Sequence, residues 1–322
     1  MSLYAGVDLG GTSMIAVIAD RKGKVLGSSD CVTDRSLDAD GIIDQIAEQV
    51  IEAAKKADIK LNRLEGVGIG APGAVDPERG IVVRAPNLRW ADIPLSSHLG
   101  KRLKQEVVLG NDVQVAILGE HAFGSARKTS RAVGIWVGTG IGGGWIIDGK
   151  LDRGFRGAAG EIGHICLDEN GPECSCGRRG CAEAFSSRTS MERDVRAAHD
   201  EGRKTCVFDL MEERQKTRMT SSVIERALEK KDAVMIEVVA RAQHYLGLLA
   251  GSLVNAMDPE IVVLGGGVAS RLKESFVAPI RETARSRFLR PDPSGQIRIE
   301  HSTLGDYSGA LGACALARNA TS

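Results

Sequence analysis

Residues 161 to 183 read Glu161-Ile-Gly-His164-Ile-Cys-Leu-Asp-Glu-Asn-Gly-Pro-Glu-Cys174-Ser-Cys176-Gly-Arg-Arg-Gly-Cys181-Ala-Glu183. Three of the seven cysteines of the chain fall between positions 174 and 181, with a histidine ten residues upstream. Thiolates converge on one ion only where the chain doubles back tightly, and Gly177 and Gly180 supply such bends. Zinc takes four nitrogen or sulfur ligands tetrahedrally, so His164, Cys174, Cys176 and Cys181 form a complete set. With every position filled by protein, the expected site is a closed, structural Zn2+ site, not one that activates water. The competing reading is a cysteine-rich surface loop without metal. Folding around the ion would also fix Glu161 and Glu183, which bracket the cluster.

The rest of the chain must provide a scaffold for that loop. At 322 residues it is long enough for two domains with cores of their own. Lysine plus arginine equals aspartate plus glutamate at 42 each. A neutral chain lacks the basic surface that nucleic acid or an anionic membrane demands, so neither is expected as a partner. The N-terminus enters a strand without a charged region followed by an apolar one, and no stretch is apolar enough to span a bilayer. The expectation is a cytoplasmic protein, with Cys31, Cys166, Cys206 and Cys314 reduced.

The first 70 residues alternate strand and helix. Strands are predicted at 3–7, 13–19, 23–29 and 64–69, with a helix over 38–57 from the spacing of Ile42, Ile43, Ile46, Val50 and Ile51. A strand at 107–109 ends at Asn111-Asp112, and a helix follows to about residue 123. The pattern then restarts. A strand at 132–137 leads into the glycine-rich loop 138–144, and the next strand is predicted at 145–148. Ser222 and Glu225 suggest a capping box for a helix over 223–230. A long helix is predicted over 233–256, then a strand at 261–264 running into a third glycine loop, Gly265-Gly266-Gly267. A final helix spans 308–318, and the polar stretch 199–221 is expected to be a surface excursion. The shared order suggests an α/β protein of two similar lobes with a cleft between them. The lobes are expected at 1–112 plus 303–322 and at 113–302, the latter holding the metal loop 164–181.

Asp8-Leu-Gly10-Gly11-Thr12 lies between two strands, unlike a dinucleotide fingerprint or a P-loop, which open a helix. Gly10 and Gly11 would let backbone N–H groups approach a phosphate, Thr12 adds a hydroxyl, and Asp8 is placed to hold a water of a magnesium ion. The same segment also reads as an ordinary hairpin turn. Three glycine loops at strand ends favour a nucleotide held between the lobes. Asn111-Asp112 reads either as a helix cap or as the site of a general base toward a hydroxyl. Asn87 is a polar loop residue with a similarly weak signal of its own.

Together these segments resemble the ROK family, the bacterial sugar kinases and sugar-responsive repressors of the actin and hexokinase superfamily. The resemblance covers essentially the whole chain. It rests on Asp8-Leu-Gly-Gly-Thr12, Gly70-Ala-Pro-Gly73, Ala85-Pro-Asn-Leu-Arg-Trp90, Asn111-Asp112, Gly138-Thr-Gly-Ile-Gly-Gly-Gly144, Gly160-Glu-Ile-Gly-His164, the Cys174 to Glu183 segment and Gly265-Gly-Gly267. It implies a duplicated ribonuclease-H-like fold with ATP and Mg2+ in the interlobe cleft. Nucleotide contacts would come from Asp8, Gly10, Gly11, Thr12, Thr139, Gly140, Gly142, Gly265, Gly266 and Gly267. Asp112 would be the catalytic base. Asn87, Asn111, Glu161, His164 and Glu183 would hold the other sugar hydroxyls, with His164 giving one ring nitrogen to zinc and the other to sugar.

The implied activity is ATP-dependent phosphorylation of a hexose, glucose to glucose 6-phosphate before others. N-acetylmannosamine, fructose and allose are alternative substrates, and polyphosphate is an alternative donor. A homodimer or homotetramer is the family habit. A sugar-binding regulator is the rival class. Family repressors carry a helix-turn-helix extension before the Asp-Leu-Gly-Gly segment, whereas seven residues precede Asp8 here. Ser13 and Gln114 depart from the family pattern, which commonly has a basic residue and an asparagine at these places.

Overall fold

A computed structural model describes residues 2–321. The chain begins with β1 (Leu3–Leu9), β2 (Ser13–Asp20), β3 (Val25–Val32), α1 (Ala39–Lys56) and β4 (Gly66–Ala71). A small sheet follows, built from β5 (Ala74–Asp76), β6 (Ile81–Ala85) and β7 (Trp90–Ile93). Next come α2 (Leu95–Leu103), β8 (Val107–Asn111) and α3 (Asp112–Phe123). The second half opens with β9 (Ala132–Val137), β10 (Ile141–Ile147) and β11 (Lys150–Asp152). Helices α4 (Ala182–Ser186), α5 (Arg188–Asp200), α6 (Val207–Glu213), α7 (Ser221–Glu229) and α8 (Ala233–Met257) follow the cysteine loop. The chain closes with β12 (Ile261–Gly265), α9 (Gly266–Leu272), α10 (Glu274–Arg285), β13 (Arg298–His301) and α11 (Ser308–Ala320).

The two large sheets have the same strand order. The first runs β3-β2-β1-β4-β8 and the second β11-β10-β9-β12-β13. In the first, β1 and β2 pair antiparallel, as do β2 and β3, while β1, β4 and β8 run parallel. In the second, β10 and β11 pair antiparallel and β9, β12 and β13 run parallel. This is the duplication expected from the repeated order of elements.

Period-two alternation sets what each face of the first sheet carries. Leu3, Ala5, Val7 and Leu9 of β1 join Val67 and Ile69 of β4 in one core with Ile42, Ile43, Ile46 and Val50 of α1. The alternate residues are Tyr4, Gly6 and Asp8 on β1, and Gly66, Gly68 and Gly70 on β4. A methyl group on Gly6 would lie 2.0 Å from the Ala310 carbonyl oxygen, and one on Gly68 2.0 Å from that of Ala313. These glycines let α11 settle directly on the sheet. The same close approach joins α3 to α11, where a methyl on Gly312 would lie 1.8 Å from the Val115 oxygen. Buried Glu120 adds a polar tie, accepting from Ser308 Oγ at 3.1 Å.

One compact unit comprises Met1–Ser130, Gly144–Ala159 and Asp306–Ser322, and a second comprises Arg131–Gly143 and Gly160–Gly305. The first unit therefore keeps α3, where the sequence reading placed a division after residue 112. The packing of α3 on α11 accounts for this. Local differences have equally local causes. β10 starts at Ile141, so the glycine loop is confined to 138–140, closed by Gly138 N–H donating to Gly140 O at 2.9 Å. Gly142 lies in a strand as a result. Gly266 and Gly267 open α9 and do not form a free loop. Helix α7 is capped by Thr220, which accepts from Val223 N, and Ser222 is already helical. Glu225 instead pairs with Arg271 at 3.0 Å. The stretch 199–221 contains α6. Among the described residues no helix is long and apolar enough to cross a membrane.

Candidate functional site

In the first unit the candidate residues gather at the carboxyl ends of parallel strands, where open α/β sheets characteristically bind ligands. Asp8 is the penultimate residue of β1, and Asn111 is the last of β8. Gly10 and Gly11 turn the chain from β1 into β2, with Gly10 N–H bonded to Ser13 O at 2.9 Å. The hairpin-turn reading of this segment is thus correct as geometry. A methyl on Gly11 would lie 3.0 Å from Cβ of Asn87, so the turn and the Pro86–Leu88 helical turn between β6 and β7 are in contact. Thr12 and Asn87 are exposed.

Asn111 is the N-cap of α3. Its Oδ1 accepts from Val113 N and Gln114 N, both at 3.1 Å, and its Nδ2 donates to Gly73 O at 3.1 Å. Such a cap contributes about 1 kcal/mol. It leaves one amide hydrogen uncommitted, so capping and ligand contact are compatible. Asp112, the first residue of α3, accepts from Val113 N at 2.9 Å. Gln114 donates to Ala159 O at 2.8 Å and so holds the 157–159 turn.

Asp8 faces α11, and a methyl on Gly309 would collide with its carboxylate. Enclosure of that carboxylate, with the negative charges of Asp112 and Asp306 acting in the same direction, raises its pKa to about 7. Three carboxylates are therefore electrostatically coupled within this unit.

In the second unit, His164, Cys174, Cys176 and Cys181 converge, with one ligand atom from each lying within 4.8 Å of the others. Cys174 Sγ is 3.6 Å from His164 Nδ1, and Cys176 Sγ is 3.7 Å from Cys181 Sγ. The loop closes through Cys174 N–H to Arg178 O at 2.7 Å, and Gly177 and Gly180 adopt φ of 83° and 71°. A side chain at either position would strain that backbone. Arg178 beside Cys176 draws its thiol down to about 6, whereas burial pushes Cys181 up to about 12.

Glu183, on α4, connects this loop to the glycine loop. Its Oε1 accepts from Ser175 Oγ and its Oε2 from Ile141 N, both at 2.9 Å. Gly140 is a glycine by necessity, since a methyl there would lie 2.3 Å from Glu183 Oε2. Gly265 pairs in register with Trp136, and a methyl on Gly266 would lie 2.5 Å from Val137 O. The ends of β9 and β12 thus bring Thr139, Gly140 and Gly265–Gly267 into one neighbourhood. Exposed Glu161 precedes the Ile162–His164 turn and leaves its side chain uncommitted to capping.

With this geometry in view, the model of the ROK family matches residues 4–320. The chain belongs to the ROK family. It is 34% identical to a glucokinase of Thermotoga maritima over 97% of this chain and 96% of that protein. It is 30% identical to a xylose repressor of Caldicellulosiruptor bescii over 97% of this chain and 77% of that one. Among solved structures, a ROK family glucokinase from Streptomyces griseus in complex with glucose and AMPPNP matches with a TM-score of 0.86. That likeness has 32% identity and covers 99% of this chain and 100% of that one.

Two features of this ROK chain escaped the sequence reading. One is the bond from Ile141 to Glu183, which spans 42 positions and leaves no periodic signal. The other is Arg188, whose Nη2 donates to Thr139 Oγ1 at 2.8 Å. Ser187 preceding a helix marks a cap, but nothing local marks the arginine beside it.

Proposed function

We propose that this ROK chain is an ATP-dependent sugar kinase that transfers the γ-phosphoryl group of ATP to the 6-hydroxyl of a hexose, with glucose as the principal substrate. The likeness to two glucokinases along nearly the full chain supports the reaction class. The observation that carries the reading within the molecule is the position of Asp112. It is a carboxylate in the first turn of α3, beside a helix-capping asparagine and coupled to Asp8.

In the proposed reaction Asp112 takes the proton of the sugar hydroxyl as that oxygen attacks the γ-phosphorus. The bond to the bridging oxygen breaks, and ADP leaves with its charge. The sugar-binding residues of this reading are Asn87, Asn111 through its free amide hydrogen, Glu161, Glu183 and His164, the last through Nε2, since Nδ1 faces Cys174. Its phosphate-binding residues are Gly11, Thr12, Thr139, Gly140, Gly142 and Gly265–Gly267. Gly10 N–H is already spent on Ser13, so Gly10 serves to shape the turn.

The carboxylate cluster fits a hard divalent cation, because Asp8 carries a raised pKa that a nearby positive charge would relieve. Asp8 would hold Mg2+ through water, and the ion would offset phosphate charge. The three thiols and one imidazole fit zinc and not a hard cation, and four protein ligands make the site structural.

A coupled ADP-release assay over glucose, N-acetylmannosamine, fructose and allose, with ATP or polyphosphate as donor, tests the proposal. Glucose with ATP should give the highest kcat/KM. Sugar binding without ADP release from any sugar would assign the chain to the regulator class.

A further inference from the structure

Arg188 is the first residue of α5, behind the N-cap Ser187, which accepts from Ser190 N at 3.1 Å. It is fastened twice to the loop between β9 and β10. Its backbone N–H donates to Gly138 O at 2.9 Å, and its Nη2 donates to Thr139 Oγ1 at 2.8 Å. The side chain is half-buried. The surrounding arginines are matched to carboxylates. Arg193 pairs with Asp194 at 2.8 Å, Arg196 with Glu192 at 2.8 Å and Arg218 with Glu192 at 2.9 Å. Among the described residues, Arg188 has no carboxylate within ion-pair distance. Burial disfavours its charge, the Arg218 guanidinium adds to this, and Glu192 offsets only part of the effect.

A half-buried guanidinium held in one orientation with no anion of its own is costly. The expense is explained if an anionic ligand completes the site. A guanidinium has five N–H donors in a rigid fork that matches phosphate oxygens, and Thr139 takes only one. The Thr139 hydroxyl accepts from Arg188, which leaves its own hydrogen free to point at the same anion. The loop itself offers only glycines and Thr139, and Arg188 is a cation bonded directly to it.

We infer that Arg188 binds the phosphate chain of the phosphoryl donor, with Thr139 orienting its guanidinium. This inference rests on the proposed assignment of the 138–140 loop to phosphate recognition. It adds a charge-bearing residue to a loop whose expected contacts were backbone N–H groups and hydroxyls.

The test uses the full chain and compares Arg188→Ala, Arg188→Gln and Arg188→Lys with the unaltered protein. Titration calorimetry would follow ATP, inorganic tripolyphosphate and adenosine at two salt concentrations. Loss of a charged hydrogen-bond partner should weaken ATP and tripolyphosphate binding about tenfold or more, with adenosine unchanged. Arg188→Gln keeps a donor for Thr139 without the charge and should lose as much as Arg188→Ala, while Arg188→Lys should recover part. The salt dependence of tripolyphosphate binding should also flatten in the uncharged variants. If Arg188→Gln binds tripolyphosphate as the unaltered protein does, the arginine is merely structural and the inference fails. Should Arg188→Ala not fold, the Gln and Lys variants make the same comparison. ADP release by the unaltered protein is measured alongside. Its absence with every sugar would overturn the kinase reading, while the tripolyphosphate comparison would still decide the role of Arg188.

Discussion

Glu183 accepts the backbone N–H of Ile141 at 2.9 Å. One carboxylate thereby ties α4, which begins directly after Cys181, to the strand that leaves the 138–140 loop. Its second oxygen accepts from Ser175, between two of the cysteines, so the cysteine loop and the glycine loop share a support.

Through that shared support the proposed zinc would matter beyond its own loop. Purified protein should contain about one zinc per chain, the occupancy of a single tetrahedral site. Cys176→Ala should lose it and should weaken both sugar and nucleotide binding, because Glu183 and His164 move with the loop. Elemental analysis with calorimetry in the same sample checks this. Metal-free protein with both affinities intact would separate the loop from the site.

Asp8 makes stability depend on pH in a defined direction. Its folded-state pKa of about 7 lies above the ordinary 3.8. The native state therefore holds the proton more tightly than the unfolded chain does. The benefit is full below about pH 4, falls as pH rises toward about 7, and is gone above it. Asp8→Asn removes this titration. Without divalent cation, the Tm of the variant relative to the unaltered protein should rise between pH 4 and pH 8 by roughly 2 °C or more. A constant offset over that range would show that Asp8 does not titrate there.

The contact of α3 with α11 should tolerate no added atom at Gly312, where a methyl would lie 1.8 Å from Val115 O. Gly312→Ala should cost about 1–3 kcal/mol, the usual scale for overpacking. Denaturant unfolding would read this, and an unchanged midpoint would mean that the helices part at little cost.

Much of this architecture was legible because burial follows period. The strand expected at 64–69 is β4, and its Gly66 and Gly68 face α11, a contact that the sequence reading did not include. The convergence of His164, Cys174, Cys176 and Cys181 was legible because close spacing in sequence limits where they can go. Asn111 could be read as a cap or as a site residue, and the cap is real while one amide hydrogen stays free. Gly142 was misplaced in a loop because glycine marks both turns and close approach, and only the partner tells which. A methyl on neighbouring Gly143 would lie 2.4 Å from Ile162 Cδ1, a long-range contact invisible to local pattern. Arg188 and the Glu183 bond were silent for the same reason.

Asp112 is proposed as the base in phosphoryl transfer to a sugar. The direct measurement is glucose-dependent ADP release by Asp112→Asn, with glucose binding measured calorimetrically in the same preparation. Binding should be retained and turnover should fall by roughly two to four orders of magnitude, the scale of a lost general base. Turnover within a few-fold of the unaltered protein would contradict it.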